Sequence, residues 1–358
     1  MDAVPVVGME CNKRKWLSLL KAYKLPEKPP RVKARLHLNE NPYPPPREVV
    51  EAAYEAVKHG NLYPDPERYF LLRELAANFY SLPGPEWILP TLGSDTALKL
   101  FFEVCALGSN AVFPSPSFQA YPHLASTSNT TMVYSNLIEG EDDFELDLND
   151  FLSKDAEAAV IDSPNNPTGS ILINEDDLEK LSKKFKVVLI DEAYAEFKPK
   201  ELTKLVTNHE NILFTRTMSK VFGLAGFRVG FLIGNPEYIE EISKLLLPYD
   251  MPSPSVEAAI SALRHSNYIN DYLSYVEKEK ERLYEVVRSL GWKPFKSYTN
   301  FVLVKTNVKD IVNKFKEKGV MVRGVPLGNE WFRVSIGKPE EMETFYEVAE
   351  EISSHLPS

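Results

Sequence analysis

The stretch Val187-Val188-Leu189-Ile190-Asp191-Glu192-Ala193-Tyr194 decides the fold class. Its four successive apolar residues, closed off by two acids, read as a short strand buried on both faces. Similar runs flank it. Ala111-Val112-Phe113, Thr131 to Tyr134 and Ala158 to Ile161 precede it, and Ile212 to Phe214 and Val229 to Ile233 follow. Helical stretches such as Glu175 to Phe185 fall between some of these runs. Strand and helix in alternation predict an α/β fold with a mostly parallel sheet.

Working outward, Glu40-Asn41-Pro42-Tyr43-Pro44-Pro45-Pro46 excludes helix and central strand, because proline lacks the amide donor and fixes φ. The apolar spacing then predicts helices over Arg47 to Lys58, Leu71 to Tyr80 and Thr96 to Leu107. Beyond the strand-rich region the pattern changes. It predicts one long helix from Val256 to Leu290, a strand at Phe301 to Val304 and a helix near Val308 to Lys318. Two short strands are expected around Val320 and Arg333. This order points to a second, smaller α+β unit. The expected division is a large unit over residues 30–250 and a small one built from residues 1–29 and 251–358.

The chain has 358 residues, enough for a substantial core without staples. A formal net charge of -10 argues against nucleic acid or an anionic membrane as the main partner, while leaving room for a local basic pocket. Two cysteines, Cys11 and Cys105, stand far apart in no metal-ligand spacing. No metal site is expected, and a reducing, cytoplasmic location is. No apolar run approaches the roughly 20 residues that span a bilayer, and the opening residues show no signal-peptide pattern.

In open α/β sheets, ligands bind beyond the carboxyl ends of the strands. The unusual polar residues fall there. Ile161 is followed by Asp162-Ser163-Pro164-Asn165-Asn166-Pro167-Thr168-Gly169, and Ile190 by Asp191-Glu192-Ala193-Tyr194. Phe214 is followed by Thr215-Arg216-Thr217-Met218-Ser219-Lys220 and then by Gly226-Phe227-Arg228. Singly, each has an ordinary structural reading as a turn, a helix cap or a solvated lysine. Together they bring an acid, an amide, a phenol, a lysine and an arginine to one rim.

In this order they resemble the fold-type I pyridoxal-phosphate aminotransferases, over about residues 38–337. The resemblance implies a large, mostly parallel seven-stranded sheet with a small α+β domain, and pyridoxal 5'-phosphate as cofactor. The chemistry needs these residue types. Lys220 would hold the cofactor aldehyde and later shuttle the substrate proton. Asp191 would keep the ring nitrogen protonated, and Asn166 and Tyr194 would serve the ring 3'-oxygen. Ser94 and Asp95 at a helix start, with Thr217, Ser219 and Arg228, would hold the phosphate. Phe118 would cover the ring.

Leu38-Asn39-Glu40-Asn41-Pro42, Leu62-Tyr63-Pro64-Asp65-Pro66, Leu224-Ala225-Gly226-Phe227-Arg228, Val322-Arg323 and Phe332-Arg333-Val334-Ser335-Ile336-Gly337 are similar to the histidinol-phosphate aminotransferase family. That resemblance implies transfer of an amino group from histidinol phosphate to 2-oxoglutarate. It implies Asn39, Tyr63, Arg323 and Arg333 as substrate-binding residues, and a homodimer in which Tyr63 reaches the neighbour's cofactor. The family's early Pro-Tyr-x-Pro-Gly-Lys stretch is replaced here by Leu20-Lys21-Ala22-Tyr23-Lys24-Leu25-Pro26. Threonine-phosphate decarboxylase and aromatic amino-acid aminotransferase share the main features and remain open on sequence. So, from another class, does a cofactor-binding regulator that has lost catalysis.

Overall fold

A computed structural model describes residues 32–354. The Tyr23 stretch, Cys11 and all of the expected N-terminal part of the small unit, residues 1–29, lie outside the described residues. The strands in chain order are β1 (Ala34–Arg35), β2 (Ile88–Leu92), β3 (Asn110–Ser115), β4 (Thr131–Glu139) and β5 (Phe144–Leu146). Then come β6 (Ala158–Asp162), β7 (Val187–Asp191), β8 (Ile212–Thr217) and β9 (Val229–Ile233). The last are β10 (Lys293–Pro294), β11 (Phe301–Lys305), β12 (Val320–Met321), β13 (Arg323–Gly324) and β14 (Trp331–Ser335).

The main sheet has eight strands in the order β2-β9-β8-β7-β6-β3-β4-β5. All but β5 and β9 run in one direction. The expected mostly parallel sheet is present, with β5 added as an antiparallel edge. Every residue of β6, β7, β8 and β9 is buried. Side chains alternate between the two faces. Val188 and Ile190 pack in one apolar cluster with Phe214 and Phe231, while Val187 and Leu189 pack in another with Phe101 and Phe102. Helices cover both faces, so even the solvent-side positions of these strands are apolar.

The structure adds β2, which the sequence reading does not include and whose apolar run Pro90 interrupts. The structure places β2 at the edge of the sheet, where a missing amide donor is tolerated. It also divides the expected long helix into Ser253–Arg264 and Ile269–Ser289, joined by a 3₁₀ turn at Ser266–Tyr268. The break falls at His265-Ser266-Asn267, where short polar side chains compete with the helical backbone. The helix expected from Leu71 begins earlier, at Pro66, capped by Asp65, whose side chain accepts from the Glu67 amide.

A second sheet of order β10-β11-β14-β13 packs over the carboxyl-end side of the main one, and β1 pairs in parallel with β12. It delivers Arg323 and Arg333, which sit directly opposite each other across β13 and β14. Beneath the rim, Arg216 is wholly buried between Glu196 (2.8 Å) and Glu192 (3.3 Å), and Lys198 joins Glu192 at 2.6 Å. Lys198 also donates to the Ser163 carbonyl at 3.2 Å. This ionic group ties the carboxyl ends of β6, β7 and β8 together.

Candidate active site

Strand register assembles the floor of the site. Asp162 pairs with Asp191, and Asp191 with Thr215, so three polar side chains stand in one row at the strand ends. Asp191 is buried. It accepts from Tyr121 Oη at 2.9 Å, Thr215 Oγ1 at 2.8 Å and the Ala193 amide at 3.2 Å. Burial pushes its carboxyl above the usual range, and these three donors oppose the shift. No cationic side chain among the described residues forms an ion pair with it. Burial also pushes Asp162 up to about 7, against donors from the Asn166 amide (2.9 Å) and Asn165 Nδ2 (3.0 Å).

Above this floor lies a pocket of about 590 Å³, lined by Ser94, Asp95, Phe118, Asn166, Tyr194, Thr217, Ser219, Lys220 and Arg228 as well as both aspartates. Ser94 and Asp95 open the helix Gly93–Cys105, whose free amides point at the pocket end. Arg228 reaches Asp95 Oδ2 at 3.0 Å from a left-handed backbone position, φ 54°. Glycine is needed on both sides of this junction. A Cβ on Gly93 would collide with the Arg228 guanidinium, and one on Gly230 with the Ser94 amide. Thr217 Oγ1 bridges the Ser219 hydroxyl (3.0 Å) and the Ser219 amide (3.1 Å).

Lys220 Nζ lies 3.3 Å from the Leu38 carbonyl and 5.7 Å from the centre of the Tyr194 ring. Asn39, itself buried at φ 55°, donates to Tyr194 Oη at 2.8 Å. That leaves the phenol's own proton free to point elsewhere. The pocket continues into a second chamber of about 570 Å³ that shares Lys220, Tyr194, Asn166 and Phe118 and adds His37, Asn39, Gln119, Arg323 and Arg333. Arg333 is buried, bonds Asn166 Oδ1 and donates to the His37 carbonyl at 2.9 Å. Half-buried Arg323 donates to Gln119 Oε1 at 2.7 Å.

Of the residues singled out on sequence, all but one line these two chambers. Tyr63 stands apart, 81% exposed and stacked on Tyr249 at 4.8 Å. Sequence reasoning missed Tyr121, Asp162, Gln119 and His37. Asp162 alone carried a local signal, being an acid at the end of an apolar run like Asp191.

The family model for aminotransferases of class I and II matches residues 31–348. The chain belongs to this family. Within it, the aminotransferase is 37% identical to a histidinol-phosphate aminotransferase of Sulfurisphaera tokodaii, over 89% of this chain and 90% of the relative. It is 33% identical to histidinol-phosphate aminotransferase 2 of Archaeoglobus fulgidus, over 90% and 94%. The fold of the aminotransferase matches the crystal structure of the Clostridium acetobutylicum histidinol-phosphate aminotransferase with a TM-score of 0.81 at 25% identity, covering 89% of this chain and 99% of that one. It also matches the Sinorhizobium meliloti enzyme, crystallised with pyridoxal-5'-phosphate, with a TM-score of 0.82 at 24% identity, covering 91% and 92%.

Proposed function

We propose that this aminotransferase moves the amino group of histidinol phosphate to 2-oxoglutarate. Its cofactor is pyridoxal 5'-phosphate, and the residues present fit that group. Asp191 is a buried acceptor held by three donors, with no cationic partner among the described residues, and a protonated ring nitrogen would supply one. The helix start at Ser94, with Thr217, Ser219 and Arg228, forms a cradle for a phosphate, kept open by two glycines that a side chain would fill. When bound, the cofactor withdraws electrons from the substrate carbon that loses its proton.

The protein's own residues then divide the work. Lys220 Nζ is the amine that would hold the cofactor's aldehyde, and when free it would take the proton from the substrate Cα as a base and give it back as an acid. Tyr194, whose oxygen already accepts from Asn39, would donate toward the ring oxygen. Asn166 has its Oδ1 engaged by Arg333, which leaves its amide nitrogen as the group that would donate to the ring oxygen. Phe118, which lines the pocket, would cover the ring face and exclude water there.

One observation carries the choice of substrate. Arg323 joins Arg333 in the chamber beside Lys220, forms no ion pair among the described residues, and hydrogen-bonds the neutral amide of Gln119. A single arginine suffices for a carboxylate, and two suit a dianionic phosphate, because each planar fork pairs two oxygens at once. Arg323→Ala should therefore weaken histidinol phosphate by about 2–5 kcal/mol, the usual loss for one partner of a buried charge pair. Glutamate should suffer less, since Arg333 remains. Steady-state kinetics with both amino donors decides this, and an equal loss for the two refutes the assignment. Release of carbon dioxide from threonine phosphate without amino transfer would select the decarboxylase instead.

The homodimer is part of the same proposal. Tyr63 stacks on exposed Tyr249, with exposed Leu62 lining the same groove as Tyr63 and exposed Leu247 the same groove as Tyr249, an apolar surface of the kind that marks an interface. We take Tyr63 to enter the partner's site. The inactive variants Tyr63→Ala and Lys220→Ala should then recover part of their activity when refolded together, through mixed dimers carrying one intact site. No recovery, with mixed dimers demonstrated, ends the idea. No helix among the described residues is long and apolar enough to cross a membrane, and a cytoplasmic location is proposed from the cysteine usage.

A further inference from the structure

His37 lines the same chamber as Arg323 and Arg333 and is only 9% exposed. Its Nδ1 is buried with no hydrogen-bond partner among the described residues. A buried, unpartnered imidazole nitrogen is costly unless a ligand completes it. The charges around it are of one sign. Arg333 reaches back to the His37 carbonyl from β14, Arg323 stands on β13, and Arg35 lies on β1. Lys220 and the phenol of Tyr194 also line the chamber, and none of the lining residues is acidic. Two acids near Arg35, Glu40 and Glu341, are held by it, through its side chain at 2.7 Å and its backbone amide at 3.1 Å.

We infer that His37 is a specificity-determining residue of this chamber, becoming protonated and acting as a third donor when a phosphate-bearing substrate enters. The inference rests on the reading of the chamber as the seat of the substrate's phosphate. Without an anion, burial and the charges of Arg35, Arg323 and Arg333 hold His37 down at about 4, so it is neutral at ordinary pH. A dianion offsets the two chamber arginines and adds attraction for a third positive charge. Protonation then gives both ring nitrogens a hydrogen to donate. Ligand entry and proton uptake become linked. Binding of a dianion strengthens as pH falls, through the window between the free and bound titrations of one histidine.

Sulfate is the suitable probe, since it stays dianionic across this range and the holoenzyme's cofactor site is already filled. Calorimetry in buffers of different ionisation enthalpy should show the wild-type holoenzyme taking up about one proton per sulfate near pH 5.5. Sulfate binding should weaken roughly tenfold between pH 5.5 and 7.5. His37→Gln and His37→Asn should lose both the uptake and the slope. No uptake by the wild type, or equal uptake by the variants, overturns the inference. Turnover of histidinol phosphate is scored separately. Uptake that depends on His37 without turnover sinks the substrate reading and upholds this one, whereas turnover without it does the reverse.

Discussion

Lys220→Ala should bind pyridoxal 5'-phosphate and yet fail to form any borohydride-reducible link to it. The phosphate cradle at Ser94, Thr217, Ser219 and Arg228 and the carboxylate of Asp191 are untouched by the change, so affinity for the cofactor should persist. The amine itself has no substitute nearby. Among the lining residues of both chambers Lys220 is the one lysine, and the other cations, Arg228, Arg323 and Arg333, stay protonated and cannot act as nucleophiles or bases. Loss of the proton shuttle alone costs roughly 10² to 10⁴ in rate, and loss of the covalent attachment adds to it. Absorbance after borohydride treatment, followed by mass spectrometry of the peptides, reads the result. A modified peptide containing another lysine would show that Lys220 is not the attachment point.

Asp191→Asn should retain the fold and lose most of the activity. The amide is the same size as the carboxylate, and the hydroxyls of Tyr121 and Thr215 can each donate or accept, so the hydrogen bonds of the floor can be rebuilt. What cannot be rebuilt is the negative charge opposite the ring nitrogen. Removing one partner of a buried charge pair costs about 3–5 kcal/mol, which corresponds to a rate loss of roughly 10² to 10⁴. Single-turnover kinetics with saturating cofactor separates this from weakened cofactor binding. Near-normal turnover would refute the role given to Asp191. Tyr121→Phe provides a graded comparison, since it removes one of three donors and leaves the charge in place.

The two variants probe residues whose legibility in the sequence had a common cause. Lys220, Asp191 and Asn166 each follow an apolar run, and a buried parallel strand can present polar groups only at its ends. A run such as Val187 to Ile190 therefore locates both the strand and the place where chemistry begins. Asp162 obeys the same rule. Its work is local: it holds the amides of Asn165 and Asn166 that follow it.

Local pattern was misleading where tertiary position overrides it. Pro90 makes Ile88–Leu92 look unlike a strand, and only the sheet order, which puts β2 at an edge, makes that proline acceptable. The apolar spacing from Val256 to Leu290 stays helical through a break that three polar residues impose.

By itself the sequence determined the alternation of strand and helix, the mostly parallel sheet and the cluster of polar residues at its carboxyl ends, because these depend on spacing within a few residues. The tertiary structure alone decided which groups meet. Tyr121 reaches Asp191 across 70 positions, Asn39 reaches Tyr194 across 155, Arg323 reaches Gln119 across 204, and Arg333 reaches the carbonyl of His37 across 296. No periodicity encodes such pairs. They exist because the strand order and register of two separate sheets bring distant segments to one rim, where burial strips water from each polar group and leaves it to find a protein partner or a ligand.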